Sequence, residues 1–147
     1  NKIIKNDLED FSADIYLMTH TTNPFLSSFT IKKAIKVFNN FTNEEKYDSL
    51  FSVNKVQARF YSNNGSPINH DPSKLIRTQD LEPWFEENSC LYLFSKNSFL
   101  NTSARIGKKP FMYEIPRLES IDIDTSEDWE LAEAIGSYMK SKPKENL

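Results

Sequence analysis

The alternation of apolar and polar stretches along the chain predicts a mixed α/β fold. Two short apolar runs, residues 13–18 (ADIYLM) and 48–53 (DSLFSV), are typical of buried strands. Between them a helix is predicted from Ser28 to about Asn40. Its buried face is formed by apolar residues at helical spacing, Ile31, Ala34, Ile35 and Phe38. A strand, a crossover helix and a second strand make a βαβ unit, whose strands usually run parallel.

The second half of the chain begins with a predicted hairpin at residues 58–68 (ARFYSNNGSPI), whose turn signal is Asn64-Gly65. A polar stretch at 69–88 follows, and it is long for a loop without structure or function. Further elements are a strand at 90–95, a short helix at 96–102, late strands at 110–116 and 119–123, and a closing helix at 126–140.

The closing helix has a clear predicted start. Thr125 caps it, and Asp128 three residues later completes an approximate capping box. Its acidic first turn complements the positive end of the helix dipole. The predicted buried stripe consists of Leu131, Ala132, Ile135 and Met139.

Composition narrows the class of protein. The 147 residues are 38% hydrophobic and 13% aromatic, which suits one folded domain. The net charge of -3 argues against a broad nucleic-acid-binding surface. No apolar run approaches the ~20 residues of a membrane helix, and the single cysteine, Cys90, excludes an intrachain disulfide. We therefore expect a cytoplasmic protein without nucleic-acid or membrane partners.

Asp122 and Asp124 alternate with isoleucines just before the closing helix. In a strand the two carboxylates would share one face, opposite Ile121 and Ile123, at the strand's carboxyl end. Ligands of open α/β sheets bind outside such ends, and a hard cation such as Mg²⁺ compensates paired carboxylates. The alternative is one surface aspartate and one aspartate that caps the helix.

Several segments, in this order, resemble the acylneuraminate (CMP-sialic acid) cytidylyltransferase family. They are THTTNPFL, YDSLFSV, IRTQDLEPWFEEN, CLYLFS and PFMYEIPRLESIDIDTSEDWELAEAI. The match runs from about Asp14 to Ile135. The 3-deoxy-manno-octulosonate cytidylyltransferases are more distant.

The resemblance implies a Rossmann-like, GT-A-like nucleotidyltransferase fold, a three-layer α/β sandwich of which this chain forms the C-terminal portion. It implies an enzyme that transfers CMP from CTP to a sialic-acid-like (nonulosonic) 2-keto sugar acid and releases pyrophosphate. It would make Asp122 and Asp124 the Mg²⁺ ligands and catalytic residues.

The resemblance also implies substrate-binding roles for His20, Thr22, Asn23, Arg59, Arg77, Gln79 and Asn88. Turn and cap chemistry is the alternative at Thr22 and Asn23, and a solvated hairpin arginine is the alternative at Arg59. Ser89-Cys90 stands where the family usually has Gly-Ala after Asn88.

Residues 57–88 resemble the family's inserted arm, which joins two subunits and helps complete the partner's sugar site. We therefore expect one domain over 1–147 and a homodimer formed through this arm. Its apolar anchors would be Phe60, Tyr61, Trp84 and Phe85. The alternative is that these aromatic residues pack on their own domain.

One family feature has no counterpart in the chain. Family members begin with a strand and a basic, glycine-containing loop that binds CTP, whereas the three glycines here lie in no such motif. We favour a fragment of a longer enzyme over a truncated relative. The rival functions are a non-catalytic dimerisation or sugar-acid-binding module and a 3-deoxy-manno-octulosonate cytidylyltransferase.

Overall fold

The computed structural model describes residues 1–43 and 46–141, which form four helices and four strands. The helices are α1 (Lys2–Asp10), α2 (Ser28–Asn43), α3 (Lys96–Thr102) and α4 (Ser126–Ser141). The strands are β1 (Tyr16–Thr19), β2 (Ser49–Val56), β3 (Trp84–Phe94) and β4 (Pro110–Glu114). A 3₁₀ turn covers Thr78–Asp80.

The four strands form one mixed sheet in the order β1-β3-β2-β4. Strand β3 is antiparallel to both neighbours, with Leu93 opposite Leu17 on one side and Leu50 on the other. Strands β2 and β4 are parallel. The predicted βαβ unit is confirmed in direction, since β1 and β2 are each antiparallel to β3, but its two strands are not adjacent.

Alternate residues of β3 face two different apolar layers, as period-two side-chain geometry requires. Leu91 and Leu93 pack with Ala34 and Phe38 of α2. Their neighbours Tyr92 and Phe94 pack on the other face with two residues from α1 and α3, Leu8 and Phe99. The sheet therefore lies between helices, and the predicted three-layer α/β fold is confirmed.

Helix α2 continues beyond the predicted stop at Asn40 and ends at Asn43. The ring of Phe41 lies 5.0 Å from that of Tyr47 and 4.4 Å from that of Phe111. This aromatic cluster stabilises an additional helical turn. The packing of Phe41 thus outweighs the tendency of Asn39 and Asn40 to end a helix.

The capping box of α4 is confirmed. The backbone N–H of Asp128 donates to Thr125 Oγ1 at 3.2 Å, and the backbone N–H of Thr125 donates to Asp128 Oδ2 at 2.8 Å. The predicted buried stripe is only partly right: Ala132 is buried, whereas Leu131 and Met139 are exposed. No helix within the described ranges is long and apolar enough to span a membrane.

The arm, residues 57–88, forms a short irregular hairpin and then returns into β3. Its tip is closed by one antiparallel bridge between Tyr61 and Pro67 and by Gly65, which adopts φ +82° at the predicted turn. The Phe60 and Trp84 rings stack 5.2 Å apart. Several apolar side chains of the arm stay exposed, namely Tyr61, Ile68, Leu75, Trp84 and Phe85.

Candidate functional site

Two irregular segments lie side by side at the carboxyl end of β1. The backbone N–H of Ile123 donates to the Thr22 carbonyl at 3.0 Å, and Asn23 Nδ2 donates to the Ile121 carbonyl at 3.2 Å. Thr22 and Asn23 thus hold the aspartate segment in place. Asn23 is buried, and its Oδ1 has no hydrogen-bond partner among the described residues.

The predicted strand at 119–123 is wrong. Residues 117–120 form a turn, and residues 121–124 have no regular secondary structure. The physical reason is that the carboxylate of Glu119 is hydrogen-bonded to the start of α2, which holds this segment in a turn. The carboxylate accepts from the Ser27 backbone N–H at 2.9 Å and from the Ser27 and Thr30 hydroxyls at 3.0 Å.

Glu119 therefore ties the turn before the aspartates to the start of α2. Sequence reasoning missed this residue because its partners lie about ninety positions away. Nothing in the sequence around Glu119 indicates that it lies beside the start of α2, because this neighbourhood exists only in the folded structure.

The two aspartates have different surroundings. Asp122 is half-buried, and its Oδ1 accepts from the backbone N–H of Ile123 at 3.1 Å. Asp124 is exposed, and its backbone N–H donates to Asp128 Oδ2 at 3.2 Å. Asp122 lines a cavity of about 240 Å³ together with Asn54, Glu86, Glu87, Asn88 and Ser89.

Asn88 enters this cavity from a large bulge in β3. Four residues, 88–91, face the single residue Ser52 of β2. The Ser52 hydroxyl donates to Asn88 Oδ1 at 2.6 Å and accepts from the Leu91 N–H at 2.9 Å. Asn88 Nδ2 donates to Asn54 Oδ1 at 3.0 Å, so the Asn88 amide is held in one orientation.

Ser89 takes the left-handed conformation within the bulge, with φ +59°. This backbone region favours glycine, and the residue stands where the resembled family usually has one. Next to it, burial together with the charges of Asp122 and Glu119 raises the pKa of the Cys90 thiol to about 12. Cys90 therefore stays protonated behind the bulge.

A second group of side chains, which includes Tyr92, Glu87 and Arg105, packs around the β3 bulge. Tyr92 OH donates to Glu87, and the guanidinium of Arg105 lies 4.1 Å from the centre of the Tyr92 ring. Burial and the hydrogen bond to Glu87 raise the pKa of Tyr92 to about 12, so the phenol keeps its proton. The half-buried His20 ring lies 6.3 Å from that of Tyr92.

The three predicted substrate-binding residues of the arm are exposed and make their contacts within the arm. Arg59 donates through Nη2 to the Ile76 carbonyl. Arg77 forms a two-pronged ion pair with Asp80, at 2.8 Å and 3.2 Å. The Gln79 carbonyl accepts from Gln57 at 2.9 Å. The structure thus brings His20, Thr22, Asn23, Asn88 and Asp122 to one end of the sheet, and it leaves these three in the arm.

Helices pack on both faces of the mixed sheet, which is a Rossmann-like α/β arrangement. This fold is shared with the crystal structure of 4-diphosphocytidyl-2C-methyl-D-erythritol synthase from Anaerococcus prevotii, with a TM-score of 0.56 and 14% identity over 92% of this chain and 76% of that one.

By sequence the chain is similar to N-acylneuraminate cytidylyltransferases, which confirms the resemblance predicted from the motifs. It is 25% identical to the enzyme of Streptococcus agalactiae in an alignment of 136 positions that covers 83% of this chain and 31% of that protein. It is 28% identical to N-acylneuraminate cytidylyltransferase A of Danio rerio in an alignment of 143 positions that covers 90% of this chain and 32% of that one. No protein-family model matches. The chain spans about a third of the length of these relatives.

Proposed function

We propose that this chain supplies the metal- and acceptor-binding part of a cytidylyltransferase that acts on a sialic-acid-like 2-keto sugar acid. In this reaction the anomeric hydroxyl oxygen of the sugar forms a bond to the α-phosphorus of CTP. The bond from that phosphorus to the pyrophosphate group breaks, the proton of the hydroxyl is released to solvent, and the products are the CMP-sugar and pyrophosphate.

One observation carries the proposal. The chain segment with Asp122 and Asp124 is hydrogen-bonded to Thr22 and Asn23 at the carboxyl end of β1, and Asp122 shares a cavity with Asn88. Residues 34 to 101 positions apart in sequence therefore meet at the end of the sheet where ligands of such folds bind. The named relatives match 83% and 90% of the chain.

The residues at this end of the sheet suit a magnesium ion. No group of three or more potential ligands among His, Cys, Asp and Glu converges within residues 1–43 and 46–141. Mg²⁺ is usually bound by only one or two carboxylates and by substrate phosphates, so Asp122 and Asp124 are an adequate protein contribution. Bound there, Mg²⁺ would neutralise the triphosphate and help orient the attacking oxygen.

The chain's own residues would mainly position the acceptor. The Asn88 amide is fixed by Ser52 and Asn54, so its contact with a sugar hydroxyl would need little rearrangement. His20 lies at the same end and offers a ring nitrogen to another hydroxyl. Thr22 and Asn23 act through the backbone of residues 121–123, which sets where Asp122 lies.

The test is CMP transfer from CTP to N-acetylneuraminate in the presence of Mg²⁺, on the natural polypeptide that carries this chain. Asp122→Asn and Asp124→Asn should each lower kcat by roughly a hundredfold or more, because each removes a charge that a hard cation needs. Asp14→Asn is the matched control, since Asp14 is an exposed acid beyond the amino end of β1.

Wild-type kcat in both site variants would refute the metal assignment. If the wild-type protein binds N-acetylneuraminate but forms no CMP-sugar, it acts as a sugar-acid-binding module and the proposed function is wrong. A preference for 3-deoxy-manno-octulosonate over N-acetylneuraminate would assign the protein to the other class of sugar.

A further inference from the structure

Glu119 supplies the acid of a capping box at the start of α2, although it lies far from that helix in sequence. Ser27 is the N-cap residue: its hydroxyl accepts from the backbone N–H of Thr30, and its carbonyl accepts from that of Ile31, both at 3.1 Å. In an ordinary capping box the third helical residue is a glutamate or glutamine that accepts from the N-cap backbone N–H. That residue is Thr30 here, and the Ser27 N–H donates instead to Glu119, 92 positions away, at 2.9 Å.

The Glu119 carboxylate is bonded to α2 through both of its oxygens. Oε2 accepts from the Ser27 backbone N–H, and Oε1 accepts from the hydroxyls of Ser27 and Thr30. The first turn of α2 contains no acidic residue of its own, so Glu119 also places a negative charge at the positive end of the helix dipole. Hydrogen bonds to a charged group are stronger than bonds between neutral groups, which makes this a firm attachment.

The attachment lies three residues before Asp122, in a part of the chain that no strand holds. Residues 121–124 have no regular secondary structure, so their position depends on a few hydrogen bonds. The residues on either side of Asp122 are bonded to the segment that leads into α2: the Ile121 carbonyl accepts from Asn23, and the Ile123 N–H donates to Thr22. Glu119 joins the same two segments at a third point.

Glu119 also lies against the β3 bulge through its backbone. Its carbonyl oxygen is 3.8 Å from Cys90 Sγ, which lies 3.4 Å from the Asn88 carbonyl oxygen. Asn88 and Asp122 line the same cavity of about 240 Å³. A shift of Glu119 would therefore change how the Asp122 segment sits relative to the bulge that carries Asn88.

We propose that Glu119 is a positioning residue for the metal site. By joining the turn at 117–120 to the start of α2, it sets where the Asp122 carboxylate lies and hence how tightly Asp122 binds Mg²⁺. It acts through the backbone of residues 120–122, because its own carboxylate oxygens are bonded to Ser27 and Thr30. This inference rests on the proposed function for the identity of the ion, and its test reads hydrogen exchange and metal affinity rather than turnover.

Two measurements on the natural polypeptide, made without sugar so that no turnover occurs, test this role. Hydrogen exchange at the Ile123 backbone N–H reports whether the aspartate segment stays attached to Thr22. Water-proton relaxation gives the dissociation constant for Mn²⁺ in the presence of saturating CTP. Glu119→Ala should speed the exchange and raise this dissociation constant, each on the order of tenfold, since loss of a group that orients a metal ligand costs about 10–100-fold in affinity.

Glu119→Gln should have a smaller effect on both measurements, because its amide oxygen can still accept from Ser27. It keeps the size of the side chain, and it carries the test if the alanine variant does not fold. Ala34→Gly is the matched control, since it weakens α2 at a buried position that makes no contact with the metal segment through hydrogen bonds of its side chain. It should lower Tm and keep the wild-type dissociation constant for Mn²⁺, whereas a purely stabilising role of Glu119 predicts the same result for Glu119→Ala.

The inference is overturned if Glu119→Ala keeps the wild-type exchange at Ile123 or the wild-type dissociation constant for Mn²⁺, or if Ala34→Gly raises that constant equally. Asp122→Asn separates this failure from a failure of the proposed function. Weaker Mn²⁺ binding in Asp122→Asn alone leaves the proposed metal site standing and overturns only the role of Glu119. Wild-type Mn²⁺ binding in Asp122→Asn would show that the proposed metal site is wrong and that Glu119 positions no metal ligand.

Discussion

At the scale of single residues, the chemistry of the site follows from the types of its side chains, whereas its geometry depends on hydrogen bonds to residues far away in the sequence. Asp122 and Asp124 were predicted as a candidate pair through the surrounding motifs, because their spacing alone fits a surface aspartate and a helix cap equally well. The contacts that place them were not, because Glu119 reaches back to Ser27 and Thr30, and Ser52 reaches forward to Asn88. Patterns along the chain do not encode such pairs.

Gly107 illustrates a residue whose importance depends on a close approach. A Cβ atom at this position would overlap the Asp48 carboxylate and the Ser98 hydroxyl. Asp48 cannot retreat easily, because it accepts from the backbone N–H groups of Lys108 and Lys109 at 2.8 Å and 3.0 Å. Gly107→Ala should therefore lower the free energy of unfolding by about 1–3 kcal/mol in urea denaturation.

Gly136→Ala is the control, with an expected change of opposite sign. Gly136 lies inside α4, and a Cβ atom there would be 3.8 Å from its nearest neighbour, Phe25. Alanine in a helix interior should stabilise the protein by roughly 0.5–1 kcal/mol. Equal effects of the two substitutions would contradict the close contact at Gly107.

At the scale of elements, the strongly periodic segments were predicted well, and the errors occur where tertiary contacts replace local signals. Helix α3 has the predicted bounds, while α2 gains a turn from the cluster around Phe41. Strand β3 begins six residues before the predicted start at Cys90. The prediction missed its amino half because that half carries acids and exposed aromatic residues rather than an apolar run. Helix α1 was not predicted; only its Leu8 is buried.

The start of α4 should give the protein a specific acid sensitivity. Hydrogen bonds from the Thr125 hydroxyl and from the backbone N–H groups of Thr125 and Asp124 lower the pKa of Asp128 below 3.8. A carboxyl group whose pKa is lower in the folded than in the unfolded protein stabilises the folded state at pH values above its unfolded-state pKa. That stabilisation is lost as the pH falls through its folded-state pKa. Asp128→Ala should lower Tm at pH 7, and the difference from wild type should shrink below pH 3.8.

Thermal unfolding between pH 7 and pH 3 measures this effect. Glu130→Ala, at an exposed position one residue beyond the first turn of the same helix, should change Tm much less at each pH. A difference between Asp128→Ala and wild type that stayed constant over this range would show that the carboxylate charge contributes nothing.

At the scale of the whole molecule, the exposed apolar residues of the arm support the predicted homodimer. Leu75 is 96% exposed, and Tyr61, Ile68, Trp84 and Phe85 are each exposed by 41–52%. So many uncovered apolar side chains in one segment are typical of an interaction surface. A second copy of the chain is the partner that the resemblance implies.

Phe85→Asp should convert a dimer into a monomer at micromolar concentration, since a charge would have to be desolvated in the interface. Sedimentation equilibrium measures the change. Phe29→Asp is the control, because Phe29 is 72% exposed and belongs to α2, outside residues 57–88. A monomeric wild-type protein, or equal dissociation by both variants, would exclude the arm as the dimer contact.

The central position of β3 has a consequence for the order of folding. Strand β1 is hydrogen-bonded in the sheet through β3, whose residues 91–94 lie some seventy-five positions further along the chain. During synthesis, β1 and β2 must therefore wait until residue 94 has left the ribosome before they can join one sheet. Contacts so distant in sequence slow folding, and until β3 arrives the apolar faces of β1 and α2 stay uncovered and are open to aggregation.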